Sequence, residues 1–317
     1  MRLLVYGSGA IGGTLAAGLA DGGCEVFLVA RGAHGMAIGS GGLRVARPSG
    51  TRSYPFEVAA SAVAADFPPV DAVLLCVKSQ DTPGALDDLY RAGYAGVPVI
   101  CAQNGVANER LLQPRFERIY GMLVWIPASH LEPGAVGQFA EGPAGCLMVG
   151  RFPDGIDSVC ERLSDALVEG GFDARPVDAI DTWKHGKLLL NLGNAIDAYC
   201  GPGEGRRPFR AKVAAEACAV LDAAGIDYID RDTLLEAAGG VIAVPIDGEE
   251  RGGGSTWQSA VRGQSSEVDF LNGHICEVGA RVGVPTPYNR ALVDLARSRP
   301  APRSIDIDSL LPDTEKK

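Results

Sequence analysis

The sequence predicts an α/β protein in which a mostly parallel sheet comes first and an all-helical part follows. Residues 1–31 indicate a strand, a glycine-rich turn, a helix and a second strand in one continuous run. Residues 70–77 form a continuous apolar run, which is typical of a parallel strand covered on both faces. From Trp183 onward the apolar residues recur at helical spacing. Because 317 residues are many for one hydrophobic core, we expect two domains, residues 1–178 and residues 179–317.

The turn after the first strand carries the pattern G-x-G-x-x-G. In this pattern the first glycine permits a tight turn, the second lets the backbone approach a pyrophosphate, and the third lets the helix pack closely on the strand. A helix over about Ile11–Ala20 and a strand over Glu25–Val29 complete the context that the pattern requires. The sequence therefore predicts a Rossmann-like dinucleotide-binding domain. The loop that would hold the dinucleotide comprises Gly7, Ser8, Gly9, Ala10, Ile11 and Gly12.

Arg31, directly after the second strand, indicates which dinucleotide binds. An acidic residue at this position binds the ribose 2′-hydroxyl of NAD, whereas an arginine accommodates the 2′-phosphate of NADP. Here Arg31 is followed by Gly32 and no acid stands nearby. The alternative is a solvated arginine in a loop. We therefore expect NADP(H) as the cofactor.

Two further strand ends carry polar side chains. The predicted strand at 70–77 is followed by Lys78, and the predicted strand Val97–Ala102 is followed by Gln103 and Asn104. Ligands of open α/β sheets bind outside the carboxyl ends of the strands, so Lys78 and Asn104 are candidate ligand contacts. Between residues 119 and 149, short alternating segments predict an antiparallel extension of the sheet.

A single long helix is predicted over Trp183–Tyr199. Lys187, Asn191 and Asn194 lie at i, i+4 and i+7 and would share one face of it. Polar groups on an otherwise apolar helix are costly unless they meet a ligand or one another. The alternative is a solvated lysine stripe with incidental amides. We expect the face to meet a ligand, and Lys184 to be a surface charge.

Two more polar residues lie near predicted helix starts. Ser255 begins a helical turn, where free backbone N–H groups and its hydroxyl could hold a carboxylate. Glu267 belongs to a helix predicted over about Ser265–Val282, and its alternative role is that of an acid favoured by the helix dipole. A last helix is expected over Tyr288–Ser298, and the tail 303–317 is expected to be only partly ordered.

Composition argues against several classes of partner. A net charge of −10 disfavours nucleic acid, and no apolar run reaches the roughly 18–20 residues that cross a bilayer. No secretory signal is recognised at the start, and the eight scattered cysteines lack a C-x-x-C pair, which favours a reducing, cytoplasmic location. The four histidines lack metal-ligand spacing. Apolar surface on the helical part could pair two copies into a homodimer.

Together, these motifs resemble the ketopantoate reductase (2-dehydropantoate 2-reductase) family. The resemblance runs from residue 1 to about 295 in the family's order. The most specific segments are Lys-Leu-x-x-Asn and Glu…Asn-Gly…Gly-Val-Pro-Thr-Pro-x-Asn. In this chain they are Lys187-Leu188 with Asn191, Glu267 with Asn272-Gly273, and Gly283-Val284-Pro285-Thr286-Pro287-Tyr288-Asn289.

The resemblance implies the NADPH-dependent reduction of a 2-oxo acid, ketopantoate, to pantoate. Hydride addition builds negative charge on the carbonyl oxygen, which an ammonium can stabilise and protonate. The active site is expected in a cleft between the domains. The implied roles are Lys187 as proton donor and Asn191 and Ser255 as substrate contacts, and we expect Asn194 to bind substrate as well. Asn104 would lie between nicotinamide and substrate, Glu267 would contact the cofactor side, and Arg31 and Lys78 would hold the 2′-phosphate.

Two departures from the family pattern leave the substrate open. The family's second helix asparagine follows the first by four residues, whereas Ala195 stands there in this chain and Asn194 precedes it. After the serine the family often has Gln-Asp, whereas this chain has Gln258-Ser259. The alternatives are a reductase of another small 2-oxo acid and a non-catalytic, NADP-sensing regulatory protein.

Overall fold

The computed structural model describes residues 1–248, 252–263 and 265–311. The chain forms two compact units that alternate along the sequence. The first contains Met1–Gln103, Asn108–Asp181 and Asp232–Arg251, and the second contains Asn104–Ala107, Thr182–Arg231 and Gly252–Lys317. The expected division into a cofactor-binding domain, residues 1–178, and a helical domain, residues 179–317, stays a prediction.

The strands of the described residues all belong to the first unit. They are β1 (Arg2–Tyr6), β2 (Glu25–Val29), β3 (Leu43–Arg47), β4 (Gly50–Tyr54), β5 (Glu57–Ala59), β6 (Ala72–Leu75), β7 (Val99–Cys101), β8 (Ile119–Trp125), β9 (Ala128–Glu132), β10 (Ala135–Gln138), β11 (Ala140–Glu141), β12 (Cys146–Arg151), β13 (Asp173–Pro176) and β14 (Ile242–Ala243).

The larger sheet has eight strands in the order β13-β12-β8-β7-β6-β1-β2-β5. Neighbouring strands run parallel except for the β8–β12 pair. In the register of β1 with its neighbours, Tyr6 is opposite Val29 of β2 and Leu75 of β6. The carboxyl ends of these three strands therefore lie at one edge of the sheet, and the α/β fold predicted from the sequence is confirmed.

A second, four-stranded sheet has the order β4-β3-β10-β9, and β11 pairs with β14. The antiparallel extension expected over residues 119–149 is therefore only partly right, because β9 and β10 leave the main sheet. Their sheet covers the helix that follows the glycine turn. A Cβ atom on Gly13 would lie only 3.1 Å from Cγ1 of Val136 and 3.3 Å from Cδ2 of Leu43.

The helices connect the strands and build the second unit. Gly32–Gly41, for which the sequence predicted no element, is helical, and Gly35 lets this helix approach the Ala30 carbonyl closely. Along the described ranges, no helix is long and apolar enough to span a membrane. The helices are α1 (Ala10–Asp21), α2 (Gly32–Gly41), α3 (Thr82–Arg91), α4 (Asn108–Leu112), α5 (Ser158–Glu169), α6 (Ile180–Asn191), α7 (Asn194–Tyr199), α8 (Arg206–Ala224), α9 (Arg231–Ala238), α10 (Ser255–Val261), α11 (Asn272–Val282) and α12 (Pro287–Ser298).

The prediction of one helix over Trp183–Tyr199 is wrong. The helix ends at Asn191 and a second one begins at Asn194. A Cβ atom on Gly193 would clash with the guanidinium of Arg210, which pairs with Asp197 at 2.7 Å. The break thus lies at Gly193, where the Arg210 side chain packs against the backbone. This tertiary contact explains the break.

The helix expected over Ser265–Val282 is also interrupted. Glu267–Phe270 forms a 3₁₀ turn and α11 begins at Asn272, because Leu271 has a non-helical conformation with φ −106° and ψ −87°. In the expected tail, the backbone N–H of Ile305 donates to Tyr199 at 3.0 Å, so this part of the tail packs on the end of α7. Residues 312–317 lie outside the described residues.

The N-terminus of α5 offers a test of local stability. The carboxylate of Asp157 accepts hydrogen bonds from the backbone of Val159 at 2.9 Å and Cys160 at 3.3 Å, and from the Tyr120 hydroxyl at 2.8 Å. Asp157→Ala is expected to lower the free energy of unfolding by about 1 kcal/mol at pH 7, since it removes a helix cap. Urea denaturation measures the change, and Asp154→Ala, at an exposed residue in the same loop, is the control.

The effect of Asp157→Ala should depend on pH. Burial raises the pKa of Asp157, but the hydrogen bonds from Tyr120, Cys160 and Val159 outweigh burial and lower it below the ordinary 3.8. A lowered pKa stabilises the fold above the unfolded pKa, and this stabilisation is lost as pH falls through the folded pKa. The difference between the wild type and Asp157→Ala should therefore shrink below about pH 4. A difference that grows there would contradict the assignment.

Candidate active site

The glycine loop after β1 has the geometry of a phosphate cradle. Gly7 has φ +98°, and a Cβ atom on it would lie 2.8 Å from Cγ1 of Val77. A Cβ atom on Gly12 would clash with the carbonyl oxygen of Gly7. Gly9 caps α1, no side chain caps that helix, and the space around a Cβ atom on Gly9 is open to 4 Å. The N-terminus of α1 therefore fits the pyrophosphate of a dinucleotide, because its N–H groups and dipole favour an anion.

The strand that leads into this loop is anchored by a buried hydrogen bond. The Tyr6 hydroxyl donates to Asp88 at 2.8 Å, and Asp88 also accepts from the backbone N–H of Ala62 at 2.6 Å. Burial, followed by the bond to Asp88, raises the pKa of Tyr6, so that the hydroxyl keeps its proton. The end of β1 is thus held rigidly where the glycine loop begins.

Arg31 and the loop containing Lys78 meet through an ion pair. The Arg31 guanidinium lies 3.2 Å from the carboxylate of Asp81, and both side chains are well exposed, at 67% and 42%. Asp81 ends the short turn that follows Lys78, whose carbonyl accepts its N–H at 2.9 Å. Since an exposed ion pair contributes at most about 1 kcal/mol, Arg31 can exchange Asp81 for a phosphate. The sequence alone did not identify Asp81 as the partner of Arg31, although this acid stands only three residues after Lys78.

A buried chain of hydrogen bonds joins the loops after β6 and β7. The Gln103 side-chain amide donates to the Val77 carbonyl and to the Thr82 hydroxyl, both at 2.8 Å. The Thr82 hydroxyl donates to Asn108 at 2.9 Å, and the amide of Asn108 donates to Ser79 at 3.2 Å. This network holds the two loops in one arrangement, because each buried group would lose its partner if either loop moved. The sequence alone did not identify Thr82 and Asn108 as members of this network.

In the second unit, Lys187 and Asn191 lie one turn apart on α6. Although α6 ends at Asn191, the amide of Asn194 still lies 3.5 Å from the Asn191 side-chain oxygen. Among the described residues, the buried side-chain nitrogen of Asn191 has no hydrogen-bond partner. The expectation that Lys184 is a surface charge is wrong, since it is only 3% exposed.

A buried amide network holds the break between α6 and α7. At the break, the Ile196 N–H bonds to Gly193 instead of Leu192, so the Leu192 carbonyl needs another donor. The Asn272 amide donates to this carbonyl at 3.1 Å and to Asn289 at 3.0 Å. The Asn-Gly and Pro-Thr-Pro-x-Asn segments of the sequence thus fix the path of the chain between Asn191 and Asn194.

The remaining candidates also fall in the second unit. Residues 104–107 follow β7 but pack with the helices, since Val106 is buried in the core formed by Leu188 and Leu192. Ser255 is exposed at the first position of α10, and Glu267 is half-buried in the 3₁₀ turn. The second unit therefore contains Asn104, Lys187, Asn191, Asn194, Ser255 and Glu267, whereas the first contains the glycine loop, Arg31 and Lys78.

The surroundings of Ala195 and Ser259 accommodate both departures from the family pattern. Ala195 is 0% exposed and belongs to the core of the second unit. The Ser259 hydroxyl donates to the Ser255 carbonyl at 3.0 Å, within α10. Ala195 thus contributes an apolar side chain to this core, and the Ser259 hydroxyl has a hydrogen-bond partner within its own helix.

Comparisons with known proteins cover nearly the whole chain. The family model described as "Ketopantoate reductase PanE/ApbA" matches residues 3–152, and the one described as "Ketopantoate reductase PanE/ApbA C terminal" matches residues 181–299. The chain is 30% identical over 301 residues to the 2-dehydropantoate 2-reductase of Archaeoglobus fulgidus, covering 93% of this chain and 97% of that protein. It is also 30% identical over 334 residues to the 2-dehydropantoate 2-reductase of Mesorhizobium japonicum, covering 94% and 97%.

Solved structures agree with these matches. A PanE/ApbA family ketopantoate reductase from Ralstonia eutropha matches with a TM-score of 0.79 and 30% identity, covering 94% of this chain and 98% of that one. A ternary structure of D-mandelate dehydrogenase with NADH and anilino(oxo)acetate has a TM-score of 0.80, covering 94% and 98%. At 22% identity, this second likeness shows the fold alone. Since the family models together match most of the chain, it belongs to the ketopantoate reductase family.

Proposed function

We propose that the chain reduces 2-dehydropantoate (ketopantoate), a 2-oxo acid, to pantoate with NADPH, a step of pantothenate and coenzyme A biosynthesis. The observation that carries the proposal is the buried side-chain nitrogen of Asn191, which no described residue accepts from and which lies one helical turn from Lys187. A buried donor without an acceptor is costly, and the oxygens of a 2-oxo acid supply that acceptor. Relatives that match 93% and 94% of the chain at 30% identity bear the name 2-dehydropantoate 2-reductase, which supports the same substrate.

The chemistry of the proposal depends on Lys187. When bound, NADPH supplies the hydride that reaches the carbonyl carbon of the substrate. The Lys187 ammonium stabilises the negative charge that develops on the carbonyl oxygen and donates its proton to that oxygen, which becomes the hydroxyl of the product. The amides of Asn191 and Asn194 orient the substrate. The Ser255 hydroxyl and the first N–H groups of α10 bind the substrate carboxylate.

The proposed cofactor contacts are those that the sequence pattern and the family resemblance indicate. The loop from Gly7 to Gly12 binds the pyrophosphate, and the cations of Arg31 and Lys78 bind the 2′-phosphate. Asn104 and Glu267 would contact the nicotinamide side of the cofactor, as the family resemblance implies. The preference for NADPH is supported by Arg31, which stands at the end of β2 where NAD-selective proteins carry an acid.

A substrate panel tests the activity. NADPH oxidation should be followed with 2-dehydropantoate, 2-oxoisovalerate, pyruvate and phenylglyoxylate. The expected result is a kcat/KM for 2-dehydropantoate at least about tenfold above the others, since each pocket contact that another acid cannot make costs about 1–3 kcal/mol. A clear preference for another acid would assign a different 2-oxo acid reductase. Tight NADPH binding without turnover of any acid would indicate a sensor instead.

The homodimer expected from the apolar surface of the helical part stays a prediction. Light scattering coupled to size-exclusion chromatography measures the mass in solution. A mass near twice the 33.0 kDa of one chain would agree with it, and a mass near 33.0 kDa would contradict it.

A further inference from the structure

His34 connects the glycine loop to the smaller sheet. It lies on α2, three residues after Arg31, and its Nε2 is 2.8 Å from the backbone carbonyl oxygen of Ser8. On the other side of the ring, Nδ1 is 3.0 Å from the backbone nitrogen of Gly134 and 3.2 Å from Nε2 of His130. All of these groups belong to the first unit.

These contacts determine the tautomer of His34. A backbone N–H can only donate, so Nδ1 must offer its lone pair to Gly134. In a neutral imidazole the proton then lies on Nε2, from which it is donated to the Ser8 carbonyl. Because this Nδ1 carries no proton, a hydrogen bond with His130 requires the Nε2–H of His130 as the donor. One neutral tautomer of His34 therefore satisfies every contact around its ring.

The Ser8 carbonyl shares a peptide plane with the Gly9 N–H. In a trans peptide these two groups point in opposite directions, so holding the carbonyl on one side fixes the direction of the N–H on the other. Gly9 is the second glycine of the loop, where the backbone approaches the pyrophosphate. We propose that neutral His34 is a positioning residue that aims the Gly9 N–H at the pyrophosphate by holding the Ser8 carbonyl.

The surroundings of His34 make it a rigid support. Gly134 has φ +80°, which favours glycine, and a Cβ atom there would lie 2.9 Å from the Cβ of Ala37 on α2. The turn between β9 and β10 is thus fitted against α2 and presents its N–H to His34. The rings of His34 and His130 also pack, with centroids 4.6 Å apart. The smaller sheet therefore supports the cofactor loop through one side chain.

Direct binding measurements test this role, which rests on the proposed function only in that the loop holds a dinucleotide. The dissociation constants for NADPH and NADH should be measured by fluorescence titration for the wild type, His34→Ala, His34→Gln and His274→Ala. His34→Ala is expected to weaken both cofactors by about 3–10-fold, because both contain the pyrophosphate and one hydrogen bond is lost. His34→Gln should bind within about twofold of the wild type, since its amide can both donate and accept.

The controls separate positioning from general damage. His274→Ala, on α11 of the second unit, should leave both dissociation constants unchanged, and kcat of His34→Ala at saturating NADPH should equal that of the wild type. Unchanged binding by His34→Ala, or equal losses in the alanine and glutamine variants, would overturn the proposal. So would a loss confined to NADPH.

One further measurement needs no variant. The ¹⁵N chemical shifts of His34 in the wild type should show Nε2 protonated and Nδ1 unprotonated at pH 7, and the opposite tautomer or a charged ring would overturn the proposal. A wild type that binds NADPH without turnover would overturn only the reductase activity. A wild type that binds neither cofactor would overturn both proposals.

Discussion

Lys187→Ala is expected to lower kcat by about 10²–10⁴-fold, the usual contribution of general acid catalysis. The substitution removes the group that we propose stabilises and protonates the carbonyl oxygen. NADPH affinity should change little, because the groups proposed to bind its phosphates, which are the glycine loop, Arg31 and Lys78, are unaltered. Steady-state kinetics with 2-dehydropantoate and a separate NADPH titration measure the two quantities.

Lys187→Arg is the matched variant. A guanidinium keeps the positive charge but does not give up its proton near neutral pH, so its kcat should also fall by at least about tenfold. Added primary amines should restore part of the activity of Lys187→Ala. Near-normal turnover of Lys187→Ala would show that the proton donor has been misidentified.

Lys184→Ala distinguishes the two lysines of α6. Because Lys184 is buried, its loss should lower the melting temperature. At a temperature where Lys184→Ala is folded, its kcat should stay within a few-fold of the wild type. A loss of kcat comparable to that of Lys187→Ala would show that the proton transfer has been assigned to the wrong lysine.

Arg31→Ala is expected to weaken NADPH binding by about tenfold or more and to leave NADH binding nearly unchanged. The substitution removes a charge-assisted contact to the 2′-phosphate, which contributes about 1.5–3 kcal/mol. Titrations of the same protein with NADPH and NADH check the result. An equal loss for both cofactors would show that Arg31 does not distinguish them.

Asp81→Asn is the counterpart of this experiment. In the wild type the Asp81 carboxylate lies 3.2 Å from Arg31 and carries the same sign of charge as the phosphate. Removing that charge should leave Arg31 free for the phosphate, so Asp81→Asn should bind NADPH at least as tightly as the wild type. A loss of NADPH affinity in Asp81→Asn would show that the ion pair is needed to orient Arg31.

Local patterns predicted the elements whose stability depends on their own residues. The strand at Glu25–Val29 has the predicted bounds, and the helix at Ser158–Glu169 begins directly after an aspartate and ends directly before a glycine. The strand is a short apolar run and the helix has an aspartate cap and a terminal glycine, so each carries its own start and stop signals. The helix breaks at Gly193 and Leu271 could not be predicted in this way, because contacts with Arg210 and Asn289 from distant segments accompany them.

The features of the candidate site also divide into those that local sequence patterns predicted and those that only the structure revealed. The glycine pattern, Arg31 and the Lys-Leu-x-x-Asn segment determined the α/β fold, the family and the class of chemistry, since each depends on residue types at short, regular spacing. Only the tertiary structure revealed the Arg31–Asp81 pair, the burial of Lys184 and the bond from His34 to Ser8. Each of these depends on which segments meet in space, and side-chain partners 26 to 50 residues apart leave no periodic signal in the sequence.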